Sequence, residues 1–138
     1  METVTQILES RLENIDFAED MVIQAARRRG FTEGSVARIG LAVREIFANA
    51  VIHGNRYDLT KSVSLEMRGT VQKLEIAISD QGRGFDPNLL PDPTDSDSLL
   101  RPSGRGLFLA RMFMDEFHIL RGRVCGVKIT MVKYLRRI

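Results

Sequence analysis

The stretch Val43-Arg-Glu-Ile-Phe-Ala-Asn-Ala-Val-Ile-His-Gly54 has the pattern of an α-helix and carries Glu45, Asn49 and His53 at intervals of four. Because an α-helix turns about 100° per residue, side chains four apart lie on one stripe. A second stripe is apolar and would bury the helix: Val36, Ile39, Val43, Ile46, Phe47 and Ala50. A carboxylate and a carboxamide one turn apart can act at a metal-binding or phosphate-binding site. Alternatively, Glu45 simply lies on the solvated face, as exposed glutamates commonly do.

The chain before this helix predicts a strand and another helix. Positions 3–10 favour an opening strand, and apolar residues recur at helical spacing from Phe17 to Ala26. Gly30 can end that helix, because glycine tolerates the left-handed conformation common there. Thr32 and Glu33 then begin the central helix, which is predicted to continue to about residue 52.

After the central helix the apolar period changes to two, which is typical of strands. Two alternating segments, with Val63, Leu65, Met67 and then Leu74, Ile76, Ile78, flank a turn at 69–70. A buried helix follows Gly106, with the apolar residues Leu107, Leu109, Ala110, Met112, Phe113 and Met114. A final hairpin is predicted to turn near 122–123. Strands apolar on one face, combined with amphipathic helices, predict a two-layer α/β sandwich.

Size and composition predict one soluble intracellular domain, residues 1–138. The chain is 43% hydrophobic and 28% charged, and its net charge of +2 is scattered, which argues against direct nucleic-acid binding. The single cysteine, Cys125, excludes an intrachain disulfide. No signal peptide or apolar run of about 20 residues is visible, so we expect a cytoplasmic location and no membrane contact.

Two glycine-containing segments carry possible chemistry. Asp80 ends a predicted strand and is followed by Gly82 and Gly84, which permit close approach of a small molecule while Asp80 accepts a hydrogen bond. The same pattern also occurs in structural turns. The segment 103–107, Ser-Gly-Arg-Gly-Leu, precedes a helix and can bind phosphate through backbone N–H groups, or can be an ordinary turn that opens the helix. The loop between these segments is long, which is typical of lids and binding segments.

The order of these motifs closely resembles the GHKL ATPase superfamily over essentially the whole chain. A helix with Glu-x3-Asn is followed by a strand ending Asp-x-Gly-x-Gly, a polar loop and Gly-x-Gly-Leu opening a helix. The sequence of residues 45–54 most resembles that of the bacterial anti-sigma factor serine kinases of the RsbW and SpoIIAB type. The resemblance implies an α+β, histidine kinase-like ATPase fold, in which helices cover one face of a mixed, mostly antiparallel sheet.

The resemblance also implies roles for individual residues, with ATP and Mg²⁺ as cofactors. Asn49 would coordinate Mg²⁺, Glu45 would be the general base toward a serine hydroxyl, and Asp80 would accept the adenine amino group. Residues 86–103 would form the ATP lid. The remaining nucleotide-binding positions would be Gly82, Gly84, Gly104, Arg105, Gly106 and Leu107. Among these, Arg105 would also contact the γ-phosphate during catalysis.

The resemblance further implies partners. The chain would sequester a sigma factor, phosphorylate a serine of an anti-anti-sigma (STAS) protein and form a homodimer. A non-catalytic ATP-dependent protein-binding switch is the alternative. A histidine-kinase catalytic domain is disfavoured, because no helix pair with a phospho-acceptor histidine precedes this domain. The family often has Gly-Thr in its last strand, where this chain has Gly126-Val127, and His53 is expected to pack at the helix end.

Overall fold

The fold is known from a computed structural model that describes residues 2–82, 104–121 and 126–136, with the backbone alone at 104–105. Its strands are β1 (Glu2–Glu9), β2 (Ser62–Gly69), β3 (Lys73–Ser79), β4 (Glu116–Arg121) and β5 (Val127–Tyr134). Its α-helices are α1 (Glu13–Arg28), α2 (Glu33–Asn49) and α3 (Gly104–Phe113). Within these ranges, no helix has both the length and the apolar character needed to cross a bilayer.

The strands form a five-stranded sheet in the order β1-β2-β3-β5-β4. Each neighbouring pair is antiparallel. The predicted alternation is confirmed, because the apolar residues of β2 and β3 are buried on one face: Val63, Leu65, Met67, Leu74, Ile76 and Ile78. These side chains join those of the helices in one hydrophobic cluster. The predicted α+β fold, with helices packed on one face of the sheet, is therefore confirmed.

Helix α2 begins and packs as its sequence predicts. The Thr32 side chain caps its first turn by accepting a hydrogen bond of 3.2 Å from the backbone N–H of Ser35. Its predicted apolar stripe, Val36, Ile39, Val43, Ile46, Phe47 and Ala50, is at most 5% exposed. The stripe on the other side of α2 is thereby left facing away from the core.

The end of α2 departs from the prediction of a regular helix to about residue 52. The α-helical part ends at Asn49, and the chain continues as a π-helical turn over Ala50–Gly54. The backbone N–H of Asn55 closes this turn by donating to the carbonyl of Ala50 at 2.8 Å. Single π-helical turns are frequent at functional sites. His53 lies within this turn and is exposed rather than buried at the helix end.

Helix α3 is less buried than predicted. Ala110 and Met114 are buried, but Met112 is 61% exposed, because it lies on the face turned away from the core. The ammonium group of Lys133 donates to the carbonyl of Phe113 at 2.8 Å and so ties the end of α3 to β5. Strands β4 and β5 pair as the predicted final hairpin, and its turn near 122–123 lies outside the described residues.

Candidate functional site

Asp80 follows β3 and is held by the backbone on two sides. Its Oδ1 accepts hydrogen bonds from the N–H of Gly82 at 2.9 Å and of Val127 at 3.3 Å. Its own N–H donates to the carbonyl of Val127 at 3.0 Å. Burial raises the pKa of the Asp80 carboxyl, and the two backbone donors and nearby Lys61 only partly offset this effect. A fixed, half-buried carboxylate is thus presented where β3 ends and β5 begins.

Three glycines allow the backbone to close around Asp80. A Cβ atom on Gly54 would lie 2.5 Å from Asp80 Cγ, and one on Gly82 would lie 2.5 Å from the carbonyl carbon of Gly54. Gly126 has a positive φ of 87°, and its added Cβ would collide with the Asp80 carbonyl oxygen. Its N–H also donates to the Gly82 carbonyl at 2.6 Å. The end of the π turn, the end of β3 and the start of β5 therefore meet at contact distance.

Glu45 lies against the first turn of α3. A Cβ atom on Gly106 would lie 2.8 Å from Glu45 Cδ and 2.9 Å from Glu45 Cβ, so the carboxylate is in close contact with this glycine. The N–H groups of a helix's first turn have no partner within the helix and favour nearby negative charge. The half-buried Glu45 carboxylate thus lies beside a local positive potential.

Asn49 lies one turn beyond Glu45 on α2, about 6 Å further along the helix axis, and is half-buried. The π turn that follows ends at Gly54, which contacts the Asp80 carboxylate. One continuous helical segment therefore runs from Glu45 at α3 to Asp80 at the sheet. Gly84, the lid at 86–103, the Arg105 side chain and Cys125 lie outside the described residues.

A cleft of about 350 Å³ lies at the other end of the sheet, between α1 and the β2–β3 turn. Arg29 crosses it, donating to the carbonyl of Thr70 at 3.1 Å and pairing with Glu2 at 3.7 Å. Asp80 follows the opposite end of β3. This cleft is therefore separate from the site around Asp80.

Comparison with known proteins identifies the family. A model of the histidine kinase-like ATPase domain matches residues 8–133. The chain belongs to the histidine kinase-like ATPase domain family. It is 32% identical over 116 residues to the serine-protein kinase RsbW of Bacillus subtilis, an overlap that covers 80% of this chain and 71% of the relative. It is 29% identical over 142 residues to RsbW of Halalkalibacterium halodurans, covering 99% of this chain and 85% of that one.

Solved structures agree with this family at the level of the fold. The RsbU and RsbW domains of a Mycobacterium tuberculosis protein match with a TM-score of 0.70 at 17% identity, over 99% of this chain and 34% of theirs. The catalytic domain of the histidine kinase ThkA matches with a TM-score of 0.60 at 15% identity, over 97% and 98% of the two chains. The fold that the motif order implied is therefore confirmed.

Sequence reasoning missed several residues around Asp80. Gly54 and Gly126 were not assigned a place beside Asp80, because only the tertiary contacts bring them there. Asn55 was interpreted only as part of the segment that ends the central helix, yet it is 1% exposed. The Val127 side chain is also buried, and it is the backbone N–H of this residue that supports Asp80. Nothing in the sequence indicated that Asn55, the residue after Gly54, would be buried, because asparagine is usually exposed.

Proposed function

We propose that this chain binds ATP and transfers its γ-phosphate to a serine of a protein partner. The observation that carries the proposal is the junction at which the glycine-rich backbone holds the half-buried Asp80 carboxylate against Gly54, the last residue of the π turn after α2. Membership of a family of ATPase domains and similarity to proteins named serine-protein kinases support it.

Asp80 suits the recognition of adenine. Its Oδ1 already accepts two backbone hydrogen bonds, while its Oδ2 is directed at Gly54, where an added Cβ would collide with it. A carboxylate accepts hydrogen bonds at both oxygens and, when ionised, donates none. The 6-amino group of adenine can donate to it, whereas the 6-oxo group of guanine or hypoxanthine cannot. In this proposal Gly82, with Gly84, forms the floor beneath the base.

Asn49 and the start of α3 suit the phosphates. A carboxamide oxygen is a ligand of the kind that Mg²⁺ prefers, and Mg²⁺ commonly takes its other ligands from phosphates and water. Within the described ranges no group of three or more His, Cys, Asp or Glu side chains is arranged to hold a metal, so Mg²⁺ held here would depend on Asn49, the nucleotide and water. Backbone N–H groups at the start of α3 would bind phosphate oxygens. We assign the positions at this turn as Gly104, Arg105, Gly106 and Leu107.

Glu45 has the position of a general base in this proposal. Its carboxylate lies at the start of α3, where the terminal phosphate would be bound, and one turn from Asn49. There it would orient the attacking serine hydroxyl and accept its proton as the bond between the serine oxygen and the γ-phosphorus forms and the bond to the ADP oxygen breaks, with ADP as the leaving group. Arg105 would stabilise the negative charge of the transferring phosphoryl group, and residues 86–103 would close over the nucleotide.

We further propose the partners that the RsbW relatives suggest. The phosphorylated serine would belong to an anti-anti-sigma STAS protein, and the chain would otherwise sequester a sigma factor. It would act as a homodimer in the cytoplasm, with residues 1–138 forming one ATP-binding domain. These proposals rest on the 27–33% identity to proteins named RsbW.

A phosphorylation assay separates a kinase from a switch. The purified chain is mixed with Mg²⁺-ATP and each STAS-domain protein of the source genome, and phosphoserine is detected by mass spectrometry. Glu45→Gln is the matched variant, because glutamine keeps the shape that packs against Gly106 but cannot accept a proton. Transfer by the unmodified chain that is lost in Glu45→Gln supports the proposal. Nucleotide binding without transfer to any STAS protein contradicts it and favours an ATP-dependent switch.

A further inference from the structure

Asn55 is a buried polar residue whose side chain makes three hydrogen bonds. Its Nδ2 donates to Ser10 Oγ at 2.7 Å and to the carbonyl of Ser62 at 2.9 Å, and its Oδ1 accepts from the N–H of Gln81 at 2.8 Å. Both Asn55 and Ser10 are 1% exposed. The orientation of the carboxamide is fixed, because a backbone N–H can only donate and a backbone carbonyl can only accept.

These hydrogen bonds join four segments of the chain. Ser10 follows β1, Ser62 begins β2, Gln81 follows β3, and Asn55 itself follows the π turn at the end of α2. Ser10 Oγ in turn donates to the carbonyl of Lys61 at 2.7 Å. A fully satisfied buried network of this kind holds its members in one arrangement.

The neighbours of Asn55 and Gln81 in the chain are the residues around Asp80. Gly54 precedes Asn55 and contacts the Asp80 carboxylate, while Gln81 lies between Asp80 and Gly82. The hydrogen bond from Gln81 N–H to Asn55 Oδ1 therefore fixes the backbone on both sides of the Asp80–Gly54 contact. Without it, the segment after β3 would retain its hydrogen bonds to β5 through Gly126 and Val127 and, from the Gln81 side chain, to Ser62 at 2.7 Å, but would lose its hydrogen bond to the residue that follows Gly54.

We propose that Asn55 is a positioning residue for purine recognition, which holds the Asp80 carboxylate at the distance from the end of α2 that the adenine amino group requires. The inference rests on the proposed function, since it needs a nucleotide whose base meets Asp80 and whose phosphates meet the Glu45–Asn49 side of α2. It assigns to Asn55 no contact with the nucleotide. Its effect reaches the base only through Asp80.

The test compares equilibrium binding of Mg²⁺-ATP and Mg²⁺-ITP by calorimetry, because inosine carries a 6-oxo group in place of the 6-amino group. The unmodified chain should bind ATP at least about tenfold more tightly than ITP, since a hydrogen bond to a charged group is involved. Asn55→Ala should lose this preference, because its affinity for ATP falls while its affinity for ITP is unchanged. If Asn55→Ala only loosened the fold, it would weaken the binding of ATP and ITP equally.

Ser10→Ala is the matched control. It removes the partner on the far side of the same network and leaves the bond from Gln81 N–H to Asn55 Oδ1 in place. We expect Ser10→Ala to lower the melting temperature, as Asn55→Ala does, and to keep the ATP preference. If Asn55→Ala fails to fold, Asn55→Ser replaces it, because the serine hydroxyl is one bond shorter than the carboxamide oxygen that accepts from Gln81.

The outcomes distinguish the inference from the proposed function. An unmodified chain without preference for ATP over ITP would contradict the role of Asp80 and, with it, the inference. An unmodified chain with that preference, and a folded Asn55 variant that keeps it, would overturn the inference alone. Equal loss of preference in Ser10→Ala would also overturn it, because the effect would then belong to the whole network.

Discussion

At Asp80 the native state holds a carboxylate that burial disfavours in its ionised form. Its pKa is raised above the ordinary value of 3.8, so between that value and the raised one the native state binds a proton more strongly than the unfolded state. Stability therefore falls as pH rises through this window, and the destabilisation is fully present above it. The position that suits a ligand thus weakens the unliganded fold.

We expect Asp80→Asn to have a higher melting temperature than the unmodified chain at pH 7. The amide keeps an oxygen for the N–H groups of Gly82 and Val127 but carries no charge to desolvate. The difference should shrink as pH falls through the raised pKa and disappear below 3.8, where the carboxyl is protonated in both the native and the unfolded state. Thermal unfolding measured across this pH range checks it, and a lower melting temperature for Asp80→Asn at pH 7 would contradict it.

Gly106 is the other residue at which packing and chemistry meet. Alanine normally favours a helix over glycine by about 1 kcal/mol, whereas overpacking costs about 1–3 kcal/mol. Because an added methyl group would lie 2.8 Å from Glu45 Cδ, we expect Gly106→Ala to lower the free energy of unfolding by up to about 2 kcal/mol and to slow phosphate transfer. Urea denaturation and the phosphorylation assay measure the two effects.

Gly34 supplies the control for Gly106, since both lie in the first turn of a helix. An added Cβ at Gly34 would meet Arg38 at an ordinary distance of 3.5 Å. Gly34→Ala should therefore stabilise the protein by up to about 1 kcal/mol without changing transfer. Destabilisation by Gly34→Ala as large as that by Gly106→Ala would show that the contact with Glu45 is not the cause.

Helices α1 and α2 are in close contact at Gly40. A Cβ atom there would lie 2.7 Å from Ile23 Cγ1 and 2.8 Å from Ile23 Cδ1. We expect Gly40→Ala to lower the free energy of unfolding by about 1 kcal/mol, because the Ile23 side chain can shift only partly and the gain in helix propensity offsets the rest. Urea denaturation of Gly40→Ala and of Gly34→Ala, which lies in the same helix, measures the two changes in the free energy of unfolding for comparison. A stabilised Gly40→Ala would contradict the close crossing.

Secondary structure was predictable wherever one apolar period governs a segment. The stripe of α2 and the alternation of β2 and β3 identify the buried face correctly, because burial drives both patterns. The π turn was not predictable, since Ala50–Gly54 keeps a helical composition while its hydrogen bonds shift by one residue. The prediction that Met112 is buried was wrong, because an apolar residue near a helix end can lie on the outer face of the helix.

For the site as a whole, the family resemblance carried by the order of motifs implied roles for Glu45, Asn49, Asp80 and the glycines that follow, and these roles stay predictions. The structure places Glu45 against Gly106 and Asp80 against Gly54. The supporting contacts were not predictable. Gly126 is distant from Asp80 in sequence, and Asn55 is separated from it by the two strands β2 and β3. Only the folded structure shows that the start of β5 and the end of the π turn meet at the Asp80 carboxylate.

Equilibrium binding of Mg²⁺-ATP to the unmodified chain and to Asp80→Asn tests the central claim most directly. The account predicts that the unmodified chain binds ATP and that Asp80→Asn, although folded, binds it at least about tenfold more weakly, because an amide group is a poorer and uncharged acceptor for the adenine amino group. Equal affinity in the two proteins, or no binding by the unmodified chain, would contradict the account.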